Sequence, residues 1–194
     1  MKVRAIIFDL DGTVVETPYD WAHIREELGT KGVSILTYLR ALAEPERSLK
    51  WNILKKYEDA ATHKAKLKKG IRPFFTFLAR RKIKRALVTN NSRKNVRFLL
   101  KKFNLKFDWV ISRERGLWKP SGAPFLEVLR RLKIKKEECW VVGDSQFDIK
   151  AAKEAGIENI FILGRNKEKF YSSGAIVVMT INTLQKKIER LLKP

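Results

Sequence analysis

Six short apolar runs recur along the chain, and most of them stop at polar residues. Val3 to Asp9 is apolar except for Arg4 and ends in an acid. Arg85 to Thr89 runs into Asn90-Asn91-Ser92, and Phe107 to Ser112 is short and aromatic. Glu138 to Gly143 ends at Asp144-Ser145, and Asn159 to Leu163 and Ala175 to Met179 follow. Uninterrupted runs of this length suit parallel strands buried on both faces. Helical patterns lie between them. Ser92 to Lys102 carries Val96, Leu99 and Leu100 at helical spacing, with Ser92 placed to cap the first turn. Ser121 to Leu132 carries Phe125, Val128, Leu129 and Leu132, with Pro124 in a first turn that has no N–H to lose. Gln146 to Ala155 precedes Gly156, a residue suited to follow a helix end, and Thr180 to Leu192 closes the series. Strands alternating with helices predict an α/β sandwich around a mostly parallel sheet.

One stretch breaks the alternation. From Glu16 to about Lys69 the pattern is helical, with no strand. Thr17-Pro18 opens one helix, Gly29 and Gly32 bracket a turn, Ile35, Leu36, Leu39 and Leu42 mark a second helix, and Pro45 starts a third through Trp51, Leu54 and Tyr57. The organisation expected is therefore a core of residues 1–15 and 70–194, with residues 16–69 as an all-helical insert after the first strand. Ligands of open α/β sheets bind beyond the carboxyl ends of the strands, the edge from which this insert leaves.

Composition narrows the class. In 194 residues, 44% hydrophobic content is enough for a packed core and argues against disorder. The single cysteine, Cys139, excludes a disulfide framework and zinc held by cysteine pairs, and points to the cytoplasm. No apolar run is long enough for a signal peptide or a membrane span. The net charge of +21 favours encounters with phosphate-bearing molecules and permits loose contact with nucleic acid. These basic residues are not gathered into a tail, and solvated helix faces account for most of them. Trp109 and Trp140 lie in strand-like runs and are read as core, whereas Trp118 directly precedes Lys119.

The chemistry-bearing residues sit at the run ends. The first ends in Asp9-Leu10-Asp11-Gly12-Thr13. Carboxylates two residues apart at a strand end project to one side and repel unless a cation or a shared proton relieves them. An oxygen-rich site of this kind favours Mg2+. Gly12 permits a tight turn. Thr89-Asn90 supplies a hydroxyl and amides, Lys119-Pro120 a cation, and Gly143-Asp144-Ser145-Gln146-Phe147-Asp148 two further acids. A parallel sheet brings these together at one edge, in a set able to handle a phosphoryl group.

In this order the four motifs resemble those of the haloacid dehalogenase-like hydrolases, over nearly the whole core. The helical insert resembles the small cap of the phosphoglycolate phosphatase-like branch, though short for it. The resemblance implies a Rossmann-like three-layer core, Mg2+ and an aspartyl-phosphate intermediate. It implies that Asp9 attacks phosphorus and that Asp11 acts as general acid and base. It further implies that Thr89 and the Asn90 amide hold phosphoryl oxygens, and that Lys119 offsets charge. Asp144 would bind metal beside Asp9 and the Asp11 carbonyl, and Asp148 would do so directly or through another group. An acid at Asp11 suits expulsion of an alkoxide, hence phosphate ester hydrolysis rather than halide displacement. The expected substrate is a small phosphorylated metabolite. A nucleotide or nucleic acid end, a phosphomutase reaction and a non-catalytic binding module remain alternatives. Tyr19, Trp21, His23, Arg25, His63 and Lys64 of the insert, and Arg93 beside Thr89-Asn90, are further candidates for substrate contact.

Overall fold

The structure, a computed structural model, describes residues 3–30, 32–164 and 168–192. In chain order its strands are β1 (Ala5–Phe8), β2 (Val15–Glu16), β3 (Lys66–Leu67), β4 (Lys84–Val88), β5 (Trp109–Ile111), β6 (Cys139–Gly143), β7 (Ile160–Leu163) and β8 (Ile176–Val178). The helices are α1 (Trp21–Leu28), α2 (Ile35–Ala41), α3 (Glu46–Lys64), α4 (Ile71–Arg80), α5 (Arg93–Lys102), α6 (Ala123–Leu132), α7 (Gln146–Glu154) and α8 (Ile181–Leu191). Six strands form one sheet in the order β5-β4-β1-β6-β7-β8, and every neighbouring pair is parallel. The expected α/β fold with a parallel sheet is the fold observed.

Side chains alternate between the two faces of a strand. Ala5, Ile7, Ala86, Val88, Val141 and Ile162 join one buried cluster with Phe125 and Val128 of α6 and Ile149 of α7. On the opposite face the Phe8 ring meets those of Phe74 and Phe75 of α4 at 6.0 and 5.3 Å, and Trp140 meets Phe161 at 5.5 Å. Helices α4 and α8 touch each other on this side. Cys139 lies in the first cluster, where burial pushes its thiol up to about 12, so it packs as a small apolar group. Among the described residues no helix is long and apolar enough to cross a membrane.

The chain divides into two compact units, Met1–Glu16 with Lys66–Pro194, and Thr17–Ala65. The second unit is helical. Within it, the Lys50 ammonium on α3 donates to the Leu28 carbonyl at 2.7 Å and to the Tyr38 hydroxyl at 2.8 Å, so one side chain joins three helices. Of the insert's candidate contact residues, Tyr19 and Trp21 stack on each other at 4.4 Å. His23 bonds the Tyr57 hydroxyl at 2.9 Å, and Arg25 donates to Val33 O at 3.3 Å.

Several local expectations need correction. Residues 16–69 do contain strand: Lys66–Leu67 pairs antiparallel with Val15–Glu16. Two residues are too few to show a period in sequence. The helix expected from Thr17-Pro18 starts at Trp21, where the Asp20 carboxylate accepts from His23 N at 3.0 Å and fixes the start. Phe107 is not in a strand; its ring packs on Phe8 and Phe75 at 6.3 and 5.4 Å, ahead of β5. Residues 71–80 add a helix to those expected, α4, with Ile71, Phe74, Phe75 and Leu78 buried at helical spacing and Pro73 in a first turn that tolerates it.

Phe74 is fully buried against Phe8, far along the chain from every charged motif residue. Phe74→Ala should lower the unfolding free energy by about 3–5 kcal/mol. Leu126→Ala, at a half-exposed position, should change it by no more than about 0.5 kcal/mol. Urea titrations of the two variants check the contrast.

Candidate active site

Strand β1 lies between β4 and β6, and the chain leaves it in opposite directions on its two sides. That reversal opens a crevice at the carboxyl ends of these three strands. Asp9 follows β1, with its amide donating to Val142 O at 2.9 Å. Thr89 follows β4, with its amide donating to Ile111 O at 3.0 Å. Asp144 follows β6. The parallel registers bring these three ends level.

Two glycines make room for carboxylates. Gly12 has φ +81°, and a Cβ there would lie 2.2 Å from Asp144 Oδ2. The turn Leu10–Val15 is closed by Val14 N and Val15 N on Leu10 O, at 2.9 and 3.0 Å. Lys68 Nζ donates to Gly12 O. At Gly143 a Cβ would lie 2.3 Å from Asp148 Cγ. Only a bare backbone at these two positions lets Asp144 and Asp148 settle against the strand ends.

Lys119 is buried, and its ammonium lies 2.6 Å from Asp9 Oδ1 and 2.6 Å from Asp148 Oδ1. The Asn90 side chain holds the backbone of this lysine from both sides. Its Oδ1 accepts from Lys119 N at 2.9 Å and its Nδ2 donates to Lys119 O at 2.8 Å. The other Asp148 oxygen accepts from Asp144 N, Ser145 N and Ser145 Oγ at 3.2, 3.1 and 2.7 Å. Thr89 Oγ1 accepts from Asn91 N at 3.1 Å, which leaves its own hydrogen to donate.

The structure thus gathers Asp9, Thr89, Asn90, Lys119, Asp144 and Asp148. Asp11 is joined to them through Asn91, whose Nδ2 donates to Asp11 Oδ2 at 2.9 Å. Asn91 is buried and was not among the residues expected to contribute. In sequence nothing separates it from its neighbour Asn90. Only the fold shows that one amide holds Lys119 and the other Asp11. Arg93 opens α5, and its backbone amide donates to both oxygens of Glu114 at 2.9 and 2.8 Å.

Charge is unevenly balanced here. Burial pushes the Asp9 carboxyl well above its ordinary pKa, Lys119 opposes the rise, and Asp148 and Asp144 add to it. Burial works against the Lys119 charge, but Asp148 and Asp9 carry the ammonium above its ordinary value. Carboxylate oxygens of Asp9, Asp144 and Asp148 all lie within 4.8 Å of one another. Hard oxygen donors with negative charge in excess fit a divalent cation such as Mg2+.

Comparison with known proteins bears on this geometry. The family model described as haloacid dehalogenase-like hydrolase matches residues 19–162, which include Thr89, Lys119, Asp144 and Asp148. The PpaX protein of Caldanaerobacter subterraneus is 30% identical over 84% of this chain and 82% of its own length. A phosphoglycolate phosphatase of Pseudomonas putida is 28% identical over 80% of this chain and 67% of its own. The crystal structure of a hydrolase from Pseudomonas syringae superposes with a TM-score of 0.80 over 98% of this chain and 100% of that one, at 17% identity, a likeness of fold.

The raised Asp9 pKa has a signed consequence for stability. A carboxyl raised by folding costs the folded state as pH rises through the ordinary carboxyl range. In chelator-treated protein, Asp9→Asn should therefore raise the melting temperature at pH 7.5 and give little gain at pH 3.5. Saturating Mg2+ should shrink the gain at pH 7.5. Thermal unfolding at the two pH values checks this.

Proposed function

The chain belongs to the haloacid dehalogenase-like hydrolase family, and from that membership we propose a Mg2+-dependent phosphatase that hydrolyses a small phosphate monoester. The carrying observation is Asp9: a nearly buried carboxylate at the end of the central strand, 2.6 Å from the Lys119 ammonium and grouped with Asp144 and Asp148.

In the first step an Asp9 oxygen attacks phosphorus while the bond from phosphorus to the ester oxygen breaks. Asp11 gives its proton to that leaving oxygen. Its Oδ2 accepts from Asn91, which orients the carboxyl group. In the second step Asp11, now a carboxylate, takes a proton from water. The water oxygen attacks phosphorus, the bond to Asp9 breaks, and the Asp9 carboxylate is restored with release of inorganic phosphate. The Thr89 hydroxyl and the Asn90 backbone N–H hold equatorial phosphoryl oxygens. Lys119 balances charge on Asp9 and on the phosphoryl group. Asp9, Asp144 and the Asp11 carbonyl would hold Mg2+, with Asp148 beside them. The ion would supply charge neutralisation for the transferring group.

The substrate class, a small phosphorylated metabolite, is supported by the relative named phosphoglycolate phosphatase. We place the enzyme in the cytoplasm, in keeping with its buried free cysteine.

Hydrolysis of p-nitrophenyl phosphate tests the assignment. Asp9→Asn should abolish turnover in Mg2+, and full activity in that variant would exclude the nucleophile proposed. Asp11→Asn should lower kcat by about 10²–10⁴-fold. Chelation should stop the reaction, and added Mg2+ should restore it.

A further inference from the structure

The basic charge of this chain is segregated. Between Asp59 and Asp108 lie 48 residues with 16 Lys and Arg and no acid. About a quarter of the chain thus carries 16 of the net +21 charges. The structure shows where part of this charge goes. On α5 the exposed positions are Arg93, Lys94, Arg97, Phe98, Lys101 and Lys102. They form two rows at four-residue spacing, Arg93-Arg97-Lys101 and Lys94-Phe98-Lys102, one step per helical turn, or about 6 Å.

The rows are not a by-product of helix building. On other helices some basic residues pair with acids one turn away, as with Arg130 and Arg131 on Glu127 of α6 and Lys50 on Glu46 of α3. Like charges at four-residue spacing repel, so the α5 pattern works against its own helix. Near α5, Glu114 accepts from Arg93 N and Asp108 from Arg85 N. The α5 surface also carries an aromatic. Phe98 is 38% exposed, with the Lys102 ammonium 5.9 Å from its ring centre. Helix α4 extends the charge, since Arg72 donates to Phe103 O at 2.8 Å at the far end of α5.

We propose that the exposed face of α5 binds single-stranded nucleic acid, with Arg97 and Lys101 on backbone phosphates and Phe98 as a stacking platform for a base. A basic track that carries an aromatic is the recurrent solution for sequence-tolerant single-strand binding. The proposal is independent of phosphatase chemistry.

The test uses a fluorescent 20-nucleotide DNA strand with hydroxyls at both ends, titrated by anisotropy from low to moderate salt. Wild-type protein should bind, with affinity falling linearly on a log–log salt plot. Arg97→Gln with Lys101→Gln should weaken binding and reduce the slope by about 1.4, two phosphate contacts' worth. Phe98→Ala should weaken binding about fivefold or more and leave the slope unchanged. Lys186→Gln with Lys187→Gln on α8 removes the same charge elsewhere and should have a smaller effect than the α5 pair. No binding at low salt overturns the proposal. So does an equal loss from the α8 pair, or binding only to phosphatidylserine vesicles.

Discussion

The Lys119 ammonium is the interaction on which the site depends. It is buried, and it lies between two carboxylates far apart in the chain, Asp9 after β1 and Asp148 in the first turn of α7. Removing the Lys119 charge would leave these carboxylates uncompensated, which is far more costly than losing a surface pair. The links radiate from there. Asn90, after β4, holds the lysine backbone, and Asp148 holds the amides of Asp144 and Ser145. Three neighbouring strands and one helix start are tied through a single cation. The acids can stay close together because that cation sits among them.

The site is acidic inside a strongly basic protein, and the two scales act differently. Within the crevice, charges lie a few ångströms apart and out of water, so local pairing decides which groups ionise. Over the outer surface, salt screens charges beyond about 10 Å, and the excess of lysine and arginine acts on what approaches. The outer field can raise the frequency of encounter with an anion. The carboxylates and Lys119 govern what happens once it is bound.

Much of this was readable from residue order. The run of strands and helices gave the parallel sheet, because buried strands and amphipathic helices leave different periods. Asp9, Thr89 and Asp144 were legible as candidates because each stands at the end of an apolar run, and Lys119 and Asp148 because of the order of the four motifs. What stayed hidden shares one cause: it depends on partners distant in the chain. Asn90 and Asn91 are identical neighbours whose tasks differ only by what each faces. The need for glycine at position 143 appears only when Asp148 is seen folded back against it. Helix α4 was legible by the same period as the other helices, since Ile71, Phe74, Phe75 and Leu78 stand at helical spacing with Arg72, Thr76 and Arg80 on the exposed side.

The two-residue ladder between Val15–Glu16 and Lys66–Leu67 is the smallest element of the fold. It pairs the chain where it leaves the first strand's turn with the chain where it returns. The helical segment is thereby a loop whose ends are already joined within the core unit. The entropy of closing such a loop rises only slowly with its length. The core therefore sets few demands on what is spliced in at this point. Segments of other sizes and shapes can be exchanged there while the strands of the core keep their register.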